Sequence, residues 1–425
     1  MKTLIKNGRV LDPSQNLDKV CNILIEEDKV AKILETGEMA EADNEIDASG
    51  CFVMPGLIDL HVHLREPGFE HKETIETGTK AAAAGGFTTI CPMPNTKPST
   101  DSPEMVEWVV KKAAEVSPVN VIPVGAVTLG QMGDEVTDIS GMVAKGALAI
   151  SEDGKSVMNA KVYREAMEIA AKEGIVVMAH CEDKNLVGKG ALNAKEAAGR
   201  IGVEGITNAV EDVIVARDIV LAAETKARLH LCHCSTAGSV VLLRDAKIEG
   251  IDVTGEVCPH HFAMTEDEIP SDDANYKMNP PLRSKEDVQA LKEALRDDIM
   301  DVISTDHAPH HADEKANGIA EAPFGIVGIE TAVALTVTHL LEEGYLTPLQ
   351  MAAKMSTNPA KVLGIDKGSL KEGKIADITI INPTEEYVID VNTFASKGKN
   401  TPFNGKTVRG KVKYTLVAGK VVYAD

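Results

Sequence analysis

The sequence predicts an α/β protein, a (β/α)8 TIM-like barrel carrying a small β domain built from both chain ends. Three observations predict it. Short apolar runs alternate with helical segments through the middle of the chain. Both ends read as strands and turns without helical periodicity. His and Asp recur at the carboxyl ends of the central runs, where such a barrel carries its functional groups.

At the amino end, TLIKNGRVLD, VCNILIEEDKVAKI and EIDASGCFVMP alternate β-branched and polar residues between Gly, Asp and Asn turns, and DITIINPTEEYVID and GKVKYTLVAGKVVYAD repeat that texture at the other end. The two ends are expected to pair, which assigns residues 1–54 and 364–425 to the β domain and 55–363 to the barrel. The eight central runs are LIDLHVHL, TTICPMPN, VNVIPVGAVTLG, ALAISEDG, IVVMAHCE, RLHLCHCS, IDVTGEVCPHH and MDVISTDHAPH. Between them lie stretches such as PEMVEWVVKKAAEV and NAKVYREAMEIAAKEG, rich in good helix formers and often closed by Gly.

With 44% hydrophobic and 26% charged residues over 425 positions, the chain has ample material for a core. A formal net charge of −21 argues against nucleic-acid or membrane-surface partners, and requires that any anionic small molecule meet locally placed arginines. No run reaches the roughly 18 apolar residues of a membrane span. Seven irregularly spaced cysteines and a start without the apolar stretch of a signal peptide lead to the expectation of a cytoplasmic protein with reduced thiols.

In a strand, residues two apart share a face, so His61 and His63 can converge on one ion. Alone, such a pair is equally well explained as polar surface. His180, His233, Asp153 and Asp306 at the ends of other runs change that, because four imidazoles and two carboxylates suit two ions about 3.5–4 Å apart that share a carboxylate, with Asp153 the bridging candidate. The donor set favours Zn²⁺, with Mn²⁺ or Co²⁺ as substitutes. Cys232 and Cys234 flank His233, but alternation is expected to point both thiols away from it, as buried free thiols. Lys155 is off-register for a ligand, and His260 and His261 are expected to be structural.

The run Pro55-Gly56-Leu57-Ile58-Asp59-Leu60-His61-Val62-His63-Leu64 resembles the first barrel strand of the amidohydrolase superfamily, and the following Arg65-Glu66-Pro67-Gly68 resembles the type I dihydroorotases. Pro92-Met93-Pro94-Asn95-Thr96, Ser151-Glu152-Asp153-Gly154, Thr305-Asp306-His307-Ala308-Pro309-His310 and Ala322-Pro323-Phe324-Gly325 extend the resemblance in the same order, across the barrel and both flanks.

The resemblance implies reversible hydrolysis of (S)-dihydroorotate to N-carbamoyl-L-aspartate in de novo pyrimidine (UMP) biosynthesis. It implies one metal on His61, His63, Asp153 and Asp306, a second on His180 and His233 bridged by Asp153, and Asp306 as the general acid/base. Some relatives use one zinc. It further implies that His63, Arg65, Asn95, Asn279 and His310 contact substrate, with Phe324 and Gly325 offering backbone groups. Arg65, two residues beyond His63, is expected at the same mouth as partner of the substrate carboxylate. The bland alternatives are a passive ligand or helix cap for Asp306 and turn roles for Asn95 and Asn279. The polar, Gly-punctuated segment 307–325 is expected to cover the substrate. A homodimer and association with aspartate transcarbamoylase follow from the family. The rival readings are another cyclic amidohydrolase (hydantoinase, dihydropyrimidinase or allantoinase), which Arg65 discriminates, and a non-catalytic barrel subunit, which the full ligand set argues against.

Overall fold

A computed structural model describes residues 1–38 and 40–425. The amino-terminal strands β1 (Lys2–Asp12), β2 (Leu17–Glu26), β3 (Lys29–Leu34), β4 (Asn44–Asp47) and β5 (Phe52–Pro55) precede the barrel. The barrel strands are β6 (Leu57–Val62), β7 (Phe87–Pro92), β8 (Asn120–Val121), β9 (Val124–Ala126), β10 (Ala149–Ser151) and β11 (Val176–Ala179). A two-stranded excursion, β12 (Leu192–Asn193) and β13 (Gly205–Ile206), follows, then β14 (Arg228–Leu231), β15 (Val253–Val257) and β16 (Val302–Ile303). The chain ends in β17 (Ile378–Val388), β18 (Thr407–Val417) and β19 (Lys420–Ala424).

The two ends join as expected. One sheet runs β19-β18-β17-β5-β1-β2-β3, with β4 on β1, and the seam between the two chain ends is the antiparallel pairing of β5 with β17, Val53 opposite Ile380. Alternation along these strands buries Ile5, Ile23, Val53, Ile378 and Leu416 in a core separate from that of the barrel.

The barrel is parallel throughout. β6 pairs β7 and β7 pairs β8, while β9 to β16 form a continuous ladder in the order β9-β10-β11-β14-β15-β16. The third strand is split because Pro123, lacking an N–H, interrupts it between β8 and β9. Closure comes from beyond β16, where His307 bridges Val62 in parallel and accepts the His63 N–H at 2.8 Å. The interior between the strands is apolar away from the mouth, with Ile58, Leu60, Met93, Val124, Met178 and Val302 packed over Val362 and Leu363 of the helix Asn358–Leu363.

Helices cross between strands with the caps their sequences encode. Thr74 caps Ile75–Ala84 through a reciprocal capping box, Ser102 and Pro103 open Pro103–Val116, and Gly174 in the left-handed region closes Ala160–Glu173.

The β sheet also leans on the barrel's last helical layer. At Gly410 of β18 the backbone φ is +97°, and an added Cβ would stand 2.6 Å from Val337 Cγ2. Gly410→Ala is therefore expected to lower unfolding free energy by on the order of 2 kcal/mol, from left-handed strain plus overpacking. A urea midpoint equal to that of the parent would contradict it.

Candidate metal centre

The six predicted ligands meet at the carboxyl end of the barrel. His61 lies in β6 and His63 just beyond it, Asp153 and His180 follow β10 and β11, and His233 and Asp306 follow β14 and β16. All six are nearly excluded from solvent, Asp306 being the most accessible at 7%.

Asp153 is the hub. Its Oδ1 stands 3.1 Å from His61 Nε2, 3.4 Å from His180 Nδ1 and 3.8 Å from His233 Nε2, and its Oδ2 is 3.6 Å from His63 Nε2. Asp306 Oδ1 lies 3.0 Å from His63 Nε2 and 3.6 Å from His61 Nε2. His180 Nδ1 and His233 Nε2 approach each other to 2.9 Å. The carboxylate thus faces two groups of donors, His61, His63 and Asp306 on one side and His180 and His233 on the other.

Hydrogen bonds at the far ring atoms fix the tautomers. His61 Nδ1 is 2.9 Å from Glu256 Oε1, so that nitrogen carries the proton and leaves the Nε2 lone pair facing the carboxylates. His63 Nδ1 donates to Asn95 Oδ1 at 2.9 Å, and the Asn95 amide donates on to Asp153 Oδ2 at 3.0 Å. Nε2 of His61 is fully buried and has no hydrogen-bond partner among the described residues. A buried imidazole lone pair aimed at two carboxylates, within a nitrogen and oxygen donor set, fits a divalent cation.

Electrostatics keeps the carboxylates ionised. Burial would raise Asp153 and Asp306, but imidazoles carrying a proton toward them, His61 foremost, reverse this and hold both well below the ordinary carboxylate range, a role a divalent cation would take over when the imidazole lone pairs bind it.

Two supporting residues escaped the sequence reading. Glu256, in β15 and fully buried, accepts from His61 Nδ1, from His230 Nε2 at 3.0 Å and from the His233 N–H at 3.2 Å. Burial would raise it, and its imidazole partners pull it far below the usual range. Asp59 accepts from the N–H and hydroxyl of Thr305 and from the His61 N–H, tying β6 to the segment that carries Asp306. The available signal was an acidic residue inside an otherwise apolar strand, as in LIDLHVHL and IDVTGEVC.

Two expectations about side-chain direction are corrected. β14 ends at Leu231, and His233 is reached through a backbone turn with φ +34°, so strand alternation does not govern it. Cys232 and Cys234 are buried free thiols as expected, and the Cys232 sulfur also lies within reach of His61 and Glu256. Burial pushes that thiol up to about 12, keeping it protonated. Arg65 likewise lies beyond β6, at φ +61°, and is aimed by that turn rather than by alternation.

Among the predicted substrate contacts, Arg65 Nε donates to the Pro309 carbonyl at 3.2 Å. Burial draws its guanidinium down to about 10, with Asp306 and Asp153 opposing, so it stays cationic at neutrality. His310 lies beside it. Lys72 Nζ can only donate, so His310 Nδ1 at 3.2 Å accepts, and Nε2–H donates to the Phe324 carbonyl at 2.8 Å. Burial and the flanking Arg65 and Lys72 push His310 down to about 2, which makes it neutral.

Asn279 donates to Glu182 at 2.5 Å, on the His180 side. Gly325 uses its N–H on the Lys277 carbonyl, and its carbonyl accepts from Lys315 and Asn400, so both of its backbone groups are engaged within the protein. Segment 307–325 contains two short helices, Ala312–Lys315 and Gly318–Glu321, and is anchored where Lys315 Nζ holds the carbonyls of Lys277, Pro323 and Gly325. His260 and His261 are buried on the turn Pro259–Ala263, where His261 Nε2 donates to the Pro280 carbonyl at 2.9 Å.

Residues 50–239 match the family described as Dihydro-orotase-like. The dihydroorotase of Geobacter metallireducens is 48% identical over 423 residues, covering 100% of each chain, and that of Bacillus cytotoxicus is 49% identical, covering 100% of this chain and 98% of that one. Among solved structures, the L-hydantoinase (dihydropyrimidinase) of Arthrobacter aurescens superposes with a TM-score of 0.88 at 28% identity, over 99% of this chain and 96% of that one. The dihydropyrimidinase of Brevibacillus agri superposes with a TM-score of 0.86 at 25% identity, over 100% and 95%.

Because Glu256 fixes His61 and the His233 backbone together, Glu256→Gln is expected to weaken metal retention roughly 10–100-fold. Metal per chain, measured after dialysis against graded chelator, checks this; a curve superimposable on the parent's would remove Glu256 from the metal centre.

Proposed function

The chain belongs to the dihydroorotase family, and from that premise we propose that it interconverts (S)-dihydroorotate and N-carbamoyl-L-aspartate, ring closure being the biosynthetic direction toward UMP. The observation that carries the reading is Arg65: a guanidinium held cationic at the mouth where Asp306 and the four imidazoles converge.

The donor set supports two zinc ions, one on His61, His63, Asp153 and Asp306 and the other on His180 and His233, with Asp153 shared. Such ions, when bound, lower the pKa of a water and polarise the carbonyl under attack. Asp306, ionised and held at φ +47° by the turn after β16, is in the state a base requires. It takes the proton of the attacking water and delivers it to the ring nitrogen as the amide bond breaks; in cyclisation the same carboxylate runs in reverse. Arg65 pairs with the exocyclic carboxylate and so fixes which ring carbonyl faces the attack. Asn95 keeps His63 and Asp153 in register, and neutral His310 completes the wall beside Arg65. The near-complete burial of the ligand cluster excludes bulk water from these charges.

No helix among the described residues is long and apolar enough to cross a membrane. Seven buried, unpaired cysteines support a reducing, cytoplasmic setting. A homodimer and association with aspartate transcarbamoylase belong to the same family-based proposal.

The hydantoinase and dihydropyrimidinase folds keep one other reading in play, a cyclic amidohydrolase acting on rings without a carboxylate. Arg65→Ala separates the two. It is expected to cut kcat/KM for dihydroorotate by roughly 10²–10³, since a charge partner at the reacting ligand is worth about 3–4 kcal/mol. Retained dihydroorotate turnover, or preference for hydantoin, would sink the assignment. Asp306→Asn is expected to reduce kcat roughly 10²–10⁴-fold. Zinc content and dihydroorotate hydrolysis measured on one sample test the metal and the reaction together: chelation should abolish both, and zinc should restore both.

A further inference from the structure

Beside the metal centre lies a cavity of about 410 Å³ whose walls carry Lys72, Lys315, Lys397 and Lys399, with Asp273 the one carboxylate among its lining residues. On a chain of net charge −21 this local excess of cations runs against the average. Lys72 is paired with Glu314 at 2.8 Å. The other three ammonium groups are held by carbonyls. Lys315 reaches Lys277, Pro323 and Gly325 at 3.3, 3.0 and 2.9 Å, Lys399 reaches Phe394 and Ser396 at 2.7 Å each, and Lys397 reaches Glu70. Carbonyl dipoles solvate a cation without cancelling its charge. Among the described residues none of the three has a carboxylate within ion-pair distance.

One side chain, His310, belongs both to the cavity wall and to the surroundings of Arg65. His310 lines the cavity, accepts from Lys72 at 3.2 Å, and stands 3.3 Å from Arg65 Nη2. The cavity that Lys397 and Lys399 line is thus bounded by an imidazole in contact with the guanidinium proposed to bind the substrate carboxylate. A concave space with one sign of charge concentrates counter-ions and raises association rates.

We propose that this cavity is an anion-collecting vestibule, in which Lys397 and Lys399 gather the carboxylate substrates, above all the dianion N-carbamoyl-L-aspartate, before transfer to Arg65. The proposal rests on the reading of the activity given above. Both lysines are exposed, so their substitution leaves the core intact. Burial also pushes Lys315 down to about 7, and an anion in the cavity would favour its charged form.

The test compares the metal-loaded parent with Lys397→Gln/Lys399→Gln and Lys397→Arg/Lys399→Arg at increasing ionic strength. The parent is expected to lose kcat/KM as salt rises, more steeply for N-carbamoyl-L-aspartate, which has two carboxylates, than for dihydroorotate, which has one. The Gln pair should raise KM for the dianion about tenfold at low salt and flatten the slope, and the Arg pair should restore both. A Gln pair with the parent's KM and salt slope would overturn the vestibule. Should the protein turn over neither compound, the activity reading fails on its own, and calorimetric titration with succinate still decides the cavity. Salt-sensitive binding lost in the Gln pair and kept in the Arg pair upholds it; equal binding in all three proteins rejects it.

Discussion

A carboxylate surrounded by four imidazoles in a nearly water-free barrel mouth is the constraint on which the rest of the structure turns. Withdrawing an ion from water costs several kcal/mol unless its partners replace the lost solvation. Asp153 meets that demand with His61, His63, His180 and His233 around it and the Asn95 amide at its back. For His61 and His63 to offer their Nε2 lone pairs to a cation beside Asp153, their protons must sit on Nδ1, which calls for acceptors on that side. Glu256 and Asn95 supply them. The buried polar network is therefore one connected unit, and Glu256, shared by His61, His230 and the His233 backbone, is where three of its strands are tied together.

The barrel contributes position by stopping its strands early. β6 ends at Val62, β14 at Leu231 and β16 at Ile303, and the residues that follow turn through backbone conformations L-residues seldom adopt: Arg65, His233 and Asp306 all have positive φ. Such geometry persists only where surrounding contacts over-determine it. Here they do. The Asp59 carboxylate holds the Thr305 N–H and hydroxyl, and the His307 carbonyl takes the His63 N–H, so the closing seam of the barrel is also the brace that aims Asp306.

This division explains what could be read in the sequence. The eight runs, the pairing of the chain ends and the six side chains that meet at the barrel mouth were legible because each is announced locally, by apolar period, turn residues, or an imidazole or carboxylate at the end of a strand. The backbone turns that aim Arg65 and His233 were not, because an isolated left-handed Arg or His is not announced by its neighbours and the period of a strand stops applying once the strand stops. Glu256 was hidden differently. Its partner His61 is 195 residues away, so only the folded chain shows that the acidic residue in IDVTGEVC serves the histidine in LIDLHVHL. The split of the third strand, by contrast, follows from Pro123 alone.

A hydantoinase and a dihydropyrimidinase share this fold with a chain of the dihydroorotase family, so the barrel by itself does not select a substrate. On the reading proposed above, selection comes from the wall the ligands do not supply, built from Arg65, His310 and the anchored segment 307–325. That wall is coherent in charge. His310 is kept neutral between Arg65 and Lys72, so it packs beside both cations without adding a third charge, and its one ring proton is spent on the Phe324 carbonyl. The guanidinium is left as the charged group facing the metal centre from this side, and that is the arrangement a ring bearing one carboxylate would require.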